Sequence, residues 1–335
     1  MPLEQQTPVT TDAGAPRRLV SVVIPAYNET ATLPLFYDAL RAALDPLEDR
    51  VELELLFINN GSTDGTLSLL EGLREKDPRV RIATLSRNFG YQAAITAGLR
   101  LSRGDAVGCI DSDGEDPPEI FAKFVETWLE GNADIVYGVR DKRPESILMR
   151  LARKAFYRIT RYMADHEIIL DMAEFALLDR RVRTAVLSTR STFPFVRGQV
   201  GYVGFRRVGI RYDRHRRLGG KSHYNLLRAT QFGVGGILSS STAPLRVLAY
   251  SAGALVPLSL VGLVVAAAYG TRTPEFGVLG WSLLGAMLLL VWLVFATAVI
   301  SVYIARVYKD QVALPLYVVD NQRSSLDGSH DEPRN

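Results

Sequence analysis

Residues 105–119 read DAVGCIDSDGEDPPE: a short apolar run, an acidic loop, and a Pro-Pro pair that suits the first turn of a helix. This strand–loop–helix signal is the fourth of a series. LVSVVIPAY (19–27), VELELLFIN (51–59) and RVRIATL (79–85) are further β-branched runs, and ADIVYGV (133–139) is the last. Helical patterns separate them: Leu33–Leu44, a helix beginning near Asp64, Ala93–Leu101, and one after Pro118. Strands alternating with helices predict an α/β domain with a mostly parallel sheet over about residues 18–224. In such sheets a ligand binds beyond the carboxyl ends of the strands.

Three polar clusters stand at those ends: Pro25-Ala26-Tyr27-Asn28-Glu29, Asn59-Asn60-Gly61-Ser62-Thr63-Asp64, and Asp111-Ser112-Asp113-Gly114-Glu115-Asp116. Neither GxGxxG nor GxxxxGK[ST] occurs, so dinucleotide-fold and P-loop readings lose their main support. The carboxylates of Asp111 and Asp113, at i and i+2 in a loop, can hold one hard divalent ion between the protein and a diphosphate. An ordinary acidic turn ahead of a helix is the alternative for this segment taken alone.

The last third of the chain differs in kind. No charge occurs between Arg246 and Arg272, nor between Glu275 and Arg306. Each interval exceeds the roughly 20 apolar residues that span a bilayer as a helix. Two membrane helices are expected at about 247–270 and 277–305, preceded by an interfacial segment at 225–245. Arg and Lys on both outer flanks predict that the domain and both termini are cytoplasmic. Residues 1–17 read as a disordered tail without a signal peptide, and 307–335 as a second tail. The single cysteine, Cys109, excludes an internal disulfide framework and a cysteine-built zinc site.

The segments VSVVIPAYNE, NNGSTDGT, SRNFGYQAAITAG and DSDGEDPPE, in that order, resemble family 2 glycosyltransferases of the GT-A fold. DMAEFALLDRRV (171–182), RLGGKSHYN (217–225), TAPLRV (242–247) and the paired apolar spans narrow the resemblance. They point to the polyprenyl-phosphate branch, with its dolichyl-phosphate mannose synthases and bactoprenol glucosyltransferases. The resemblance implies inverting transfer of a sugar from a nucleotide diphosphate to a membrane polyprenyl phosphate. A UDP-sugar is favoured, GDP-mannose is the other donor in view, and Mg²⁺ or Mn²⁺ is the cofactor. It also implies a bacterial-type inner-membrane location and a homo-oligomer, a tetramer being one form.

Carried over by position, Pro25, Tyr27, Glu29, Asn60, Asp111 and Ser112 would bind the nucleotide-sugar. Asp111, Asp113 and Glu115 would hold the metal, and Asp113 and Glu174 would be catalytic. Arg140, Arg150, Lys154, Arg217 and His223 would meet the acceptor phosphate. The chain departs from the family where Asn59-Asn60 replaces an acidic pair, Glu174 stands for Asp, Ala176 for Arg, and His223 for Lys. An Asn can still accept a base hydrogen bond, and it can also donate one.

The charge distribution agrees with an anionic acceptor. Residues 140–217 hold 19 Arg and Lys against 8 Asp and Glu, a local excess of +11, while the whole chain carries only +3. Beside a membrane, such a block favours anionic lipid heads over nucleic acid. Two other function classes remain. A processive polysaccharide synthase would carry a QxxRW-type motif, which is absent from this sequence. A catalytically silent scaffold that binds nucleotide-sugar would have little use for an intact acidic loop.

Overall fold

A computed structural model of the chain describes residues 17–140, 172–189, 195–215, 241–270 and 277–326. The strands are β1 (Arg18–Ala26), β2 (Val51–Asn59), β3 (Val80–Thr84), β4 (Ala106–Cys109), β5 (Ile135–Arg140), β6 (Met172–Asp179) and β7 (Arg207–Tyr212). They form one sheet in the order β3-β2-β1-β4-β6-β5-β7. Neighbours pair in parallel except β6, which runs antiparallel to both β4 and β5. The sheet is mostly parallel, as expected, but β6 and β7 were not foreseen as strands.

Because β6 is reversed, it begins where its neighbours end. Cys109 of β4 pairs with Ala176, so continuing the register by two residues sets Glu174 level with Asp111. The fold thereby brings a residue 63 positions downstream to the edge that carries the acidic loop.

Helices α1 (Leu33–Leu44), α2 (Thr66–Lys76) and α4 (Pro118–Leu129) cover one face of the sheet. The other face carries α3 (Tyr91–Leu101), α5 (Arg180–Ser188) and α6 (Val196–Val203). Successive side chains of a strand point to opposite faces, and β1 serves both. Val20, Val22 and Ile24 join Phe36, Leu70, Phe121 and Phe124 on the first face. Val23 packs with Ala94, Ile95, Val182 and Val200 on the second. Gly98 lets α3 lie directly on β1, since a Cβ there would come within 2.1 Å of Val23 Cγ1.

Two long helices follow, α7 (Ala243–Gly270) and α8 (Gly277–Val312). Both are long and apolar enough to cross a membrane. Leu258, Val264, Met287, Leu288, Val291 and Phe295 lie exposed along them, unlike the buried stripe of a soluble core helix. The two helices pack against each other. Trp292 Nε1 donates to Ser251 Oγ at 3.1 Å, and Tyr303 OH to the Ser241 carbonyl at 2.9 Å, contacts that run antiparallel.

Where the sequence suggested a tail from residue 307, α8 continues to Val312 and residues 317–326 then run back along β3. Ser86 N donates to the Val318 carbonyl, Asp320 N to that of Thr84 and Ser325 N to that of Ile82, at 2.9, 2.8 and 2.7 Å. Tyr317, Val319 and Leu326 pack on the second core face. Beta3 is a sheet edge, and this segment covers its unpaired backbone groups.

Candidate active site

The loops after β1 and β2 are locked to each other. Asn28 takes a positive φ of 56°, a conformation in which Asn is among the few tolerated side chains. Its N–H donates to Ser62 Oγ at 3.1 Å, and its Oδ1 accepts from Thr63 N at 2.9 Å. Glu29 N donates to Thr66 Oγ1 at 2.9 Å. Asp64 accepts from Thr66 N at 3.0 Å, but the N-cap of α2 is Gly65, with no side-chain cap, so the residue expected at the helix start stands one position before the cap. Gly61 has φ +69°, and a Cβ there would lie 2.4 Å from the Arg87 carbonyl carbon. Only glycine lets the β3–α3 loop pass this close.

Asn59 and Asn60 are both buried. Asn59 Oδ1 accepts from Ser62 N at 3.1 Å. Asn60 faces the β3–α3 loop: its Oδ1 accepts from Phe89 N at 3.0 Å and its Nδ2 donates to Asn88 Oδ1 at 3.2 Å. Asn88 Oδ1 also accepts from Gly90 N at 2.8 Å. Both ends of the Asn60 amide are therefore used in holding that loop. A carboxylate here would set an oxygen against Asn88 Oδ1, an arrangement that the amide avoids.

The acidic loop is anchored to the first. Ser112 Oγ donates to the Pro25 carbonyl at 2.9 Å, and Asp113 Oδ1 accepts from Glu115 N at 3.0 Å. Tyr91 OH, at the start of α3, donates to Asp111 Oδ1 at 2.5 Å. Burial, and then the charges of Asp116 and Asp113, push the Asp111 carboxyl up to about 7 against the Tyr91 hydrogen bond. Glu115 and Asp116 have cationic partners. Arg214 pairs with Glu115. Buried Asp116 accepts from Tyr212 OH and lies 3.6 Å from Arg140 Nη2 and 3.7 Å from Arg214 Nε. Arg140 Nε donates to Tyr212 OH at 3.2 Å. Arg140 thus reaches the acidic loop, bound on one side to Asp116 and Tyr212.

Glu174 is held by two groups that sequence reasoning did not single out. Gln92 Nε2 donates to Glu174 Oε1 at 3.0 Å, and Arg197 Nε lies 2.8 Å from the same oxygen. Gln92 Oε1 accepts from Val196 N at 3.1 Å, so one amide ties α3 to both β6 and α6. Tyr91 and Gln92 lay within a segment already noted. Arg197 carried no local signal, since only the reversal of β6 brings it near Glu174.

The residues suit a hard cation by donor chemistry. Asp111 and Asp113 offer carboxylate oxygens on one loop, and the charges of Asp116 and Asp113 beside Asp111 help to raise its pKa, a repulsion that a bound cation would relieve. Mg²⁺ is commonly bound through one or two carboxylates together with substrate phosphates. Among the described residues no three His, Cys, Asp or Glu side chains converge on a point, and Glu115 is turned to Arg214. Arg150, Lys154, Arg217 and His223 lie outside the described residues.

The profile of glycosyl transferase family 2 matches residues 21–184, the span from β1 into α5. The uncharacterized glycosyltransferase YkcC of Bacillus subtilis is 36% identical over 306 residues, covering 89% of this chain and 92% of its own. The bactoprenol glucosyl transferase of Shigella phage SfV is 33% identical over 318 residues, covering 91% and 99%. Among solved structures, the mannosyltransferase PcManGT of Pyrobaculum calidifontis, in complex with GDP-Man and Mn²⁺, aligns over 88% of this chain and 87% of its own, at 19% identity and a TM-score of 0.46. The family match over 21–184, with likeness to such relatives over about nine-tenths of the chain, leaves one assignment: the chain belongs to glycosyl transferase family 2 and has its GT-A fold.

Proposed function

We propose that this chain is an inverting glycosyltransferase that moves a sugar from a nucleoside diphosphate, UDP being favoured, to a polyprenyl phosphate. The product is a polyprenyl-phosphate-sugar for glycan or glycolipid modification of the cell envelope. One observation carries the reading. The loops of β1, β2 and β4 and the start of β6 meet at one sheet edge, in a domain hydrogen-bonded to the segment that follows a two-helix apolar hairpin. The bactoprenol relatives support the lipid acceptor. Pairing of residues 317–326 with β3 supports a hairpin whose two outer ends face the domain side; the Arg and Lys on both outer flanks favour the cytoplasm as that side.

In this reading Pro25, Tyr27, Glu29, Asn60, Asp111 and Ser112 line the nucleotide-sugar pocket. Asp111 and Asp113 would hold Mg²⁺ or Mn²⁺, which supplies Lewis-acid stabilisation of the leaving diphosphate. A phosphate oxygen of the acceptor forms the bond to the anomeric carbon as the bond from that carbon to the diphosphate breaks. The second pKa of a phosphate monoester is near 6, so the acceptor is already a nucleophile at neutral pH. What the protein must supply is charge management. Arg140 together with Arg150, Lys154, Arg217 and His223 offsets the acceptor's charge.

Glu174 then acts as a positioning group. Its carboxylate, engaged by Gln92 and Arg197, orients the sugar or the basic residues and does not need to remove a proton. Glu174→Gln is expected to lower kcat about tenfold without abolishing turnover, by a factor constant above about pH 7. A loss that disappears as pH rises in step with acceptor deprotonation would instead assign it the role of base. Asn60→Asp should shift the affinity for the preferred nucleotide by about 1 kcal/mol or more in calorimetry, the scale of one charged hydrogen bond. Unchanged affinity for every nucleotide tested would place Asn60 outside the pocket.

The function is tested by offering the detergent-solubilised chain a panel of nucleotide-sugars with polyprenyl phosphate and Mg²⁺ or Mn²⁺. Mass spectrometry of the lipid fraction should show one sugar added to the phosphate. Nucleotide-sugar bound and no lipid product would favour the silent scaffold.

A further inference from the structure

We propose that the docked segment 317–326 is a positioning element for the β2-end loop, acting through Thr84 and Asn59, so that this chain's amide at position 59 and its covered β3 edge are one device. The consequence for nucleotide binding rests on the function proposed above; the coupling itself rests on geometry alone.

Thr84 is the last residue of β3 and fully buried. Three of its polar groups meet the docked segment. Its N–H donates to Ser324 Oγ at 2.8 Å, its carbonyl accepts from Asp320 N at 2.8 Å, and its hydroxyl donates to the Arg323 carbonyl at 2.7 Å. A threonine hydroxyl has one proton. With that proton on Arg323, only the lone pairs of Oγ1 are left for Asn59, whose Nδ2 lies 3.5 Å away. The amide is oriented to suit, because Asn59 Oδ1 accepts from Ser62 N. Ser62 Oγ in turn accepts from Asn28 N, at the strained turn after β1. A continuous chain of hydrogen bonds therefore runs from Arg323 through Thr84, Asn59 and Ser62 to Asn28, joining the docked segment to both candidate nucleotide loops.

This chain of bonds selects an amide at position 59. An aspartate would keep the Ser62 bond, but its second oxygen could face Thr84 only as an acceptor. It would compete with the Arg323 carbonyl for the one hydroxyl proton and loosen the segment from β3. Buried networks of this kind are sensitive to a single mismatched partner. The segment is held independently by Tyr317, Val319 and Leu326 in the second core face, and Asp320 caps its short 3-10 turn at Asn321–Arg323 through Gln322 N at 3.1 Å. Local rearrangement at Thr84 should therefore register without expelling the segment.

The test uses the full chain in detergent, with Thr84→Val, Thr84→Ser and Asn59→Asp. Amide hydrogen exchange is followed in peptides covering 59–66 and 317–326, and UDP and GDP affinities are read by calorimetry. Thr84→Val should speed exchange in both peptides and weaken the nucleotide that the wild type binds about five- to tenfold, the worth of one lost neutral hydrogen bond. In turnover the donor KM should rise while kcat stays within about twofold. Thr84→Ser should restore all of these, and Asn59→Asp should speed exchange in 317–326. Exchange across 59–66 unchanged in a folded Thr84→Val overturns the proposal, as does unchanged exchange across 317–326 in Asn59→Asp. A wild type that binds neither nucleotide overturns the proposed function instead, and the exchange data still decide the coupling.

Discussion

Asp113→Asn is expected to lower sugar transfer at least about a hundredfold while the protein stays folded. The fold should survive because Asp113 Oδ1 acts locally as an acceptor from Glu115 N, and an asparagine oxygen can accept the same bond. What is lost is a negative charge. Glu115 and Asp116 cannot replace it, since Arg214 and Arg140 already claim them. Transfer kinetics alongside a thermal melt separate the two effects. Near-normal turnover in a folded Asp113→Asn would remove Asp113 from the reaction.

Arg81→Ala is expected to cost about 3–5 kcal/mol of stability, the scale for leaving a buried charge without its partner. Arg81 on β3 and Glu54 on β2 form an ion pair, and both side chains are at least nine-tenths buried. Glu54 also accepts from the Ser21 hydroxyl and from Arg103 N, and Gly104 N donates to Ser21 Oγ at 2.8 Å. This network lies toward the amino-terminal ends of β1 and β2, away from the candidate site, so it is structural. Replacing both partners together, Glu54→Leu with Arg81→Leu, should recover only part of the loss: no uncompensated charge remains, but the Ser21 hydroxyl and Arg103 N lose their acceptor. The check is the urea midpoint of each variant; a single Arg81→Ala within about 0.5 kcal/mol of wild type would mean that the pair is hydrated, as a surface pair is.

Glu54 also shows where sequence reading stops. VELELLFIN alternates at its start, a pattern that reads as a strand with its glutamates in water, and Glu52 is indeed exposed. Glu54 is buried because Arg81 of the next strand sits beside it, a pairing set by register across sheet neighbours and invisible in either segment alone. The same reasoning separates what was legible at the site. That Pro25, Asn60 and Asp111 stand at one edge was legible, because in a parallel sheet strand ends share an edge. Gln92 and Arg197 were not, since their link to Glu174 depends on β6 running against its neighbours. The β6 segment MAEFALLD has no strong β-branched signal, and tertiary packing overrides its weak propensity. Residues 317–326 read as a tail for a similar reason: their order comes from backbone pairing to the β3 edge, and such pairing asks little of sequence.

In the proposed reaction, sugar is delivered to a lipid phosphate. The most direct measurement is partition of radiolabel from a nucleotide-sugar donor between water and organic solvent, with and without added polyprenyl phosphate. Label is expected in the organic phase only when the acceptor is present, released by mild acid as the glycosyl phosphate bond breaks. Label that stays in the aqueous phase as free sugar, or in polymer, under conditions where the donor is consumed would contradict it.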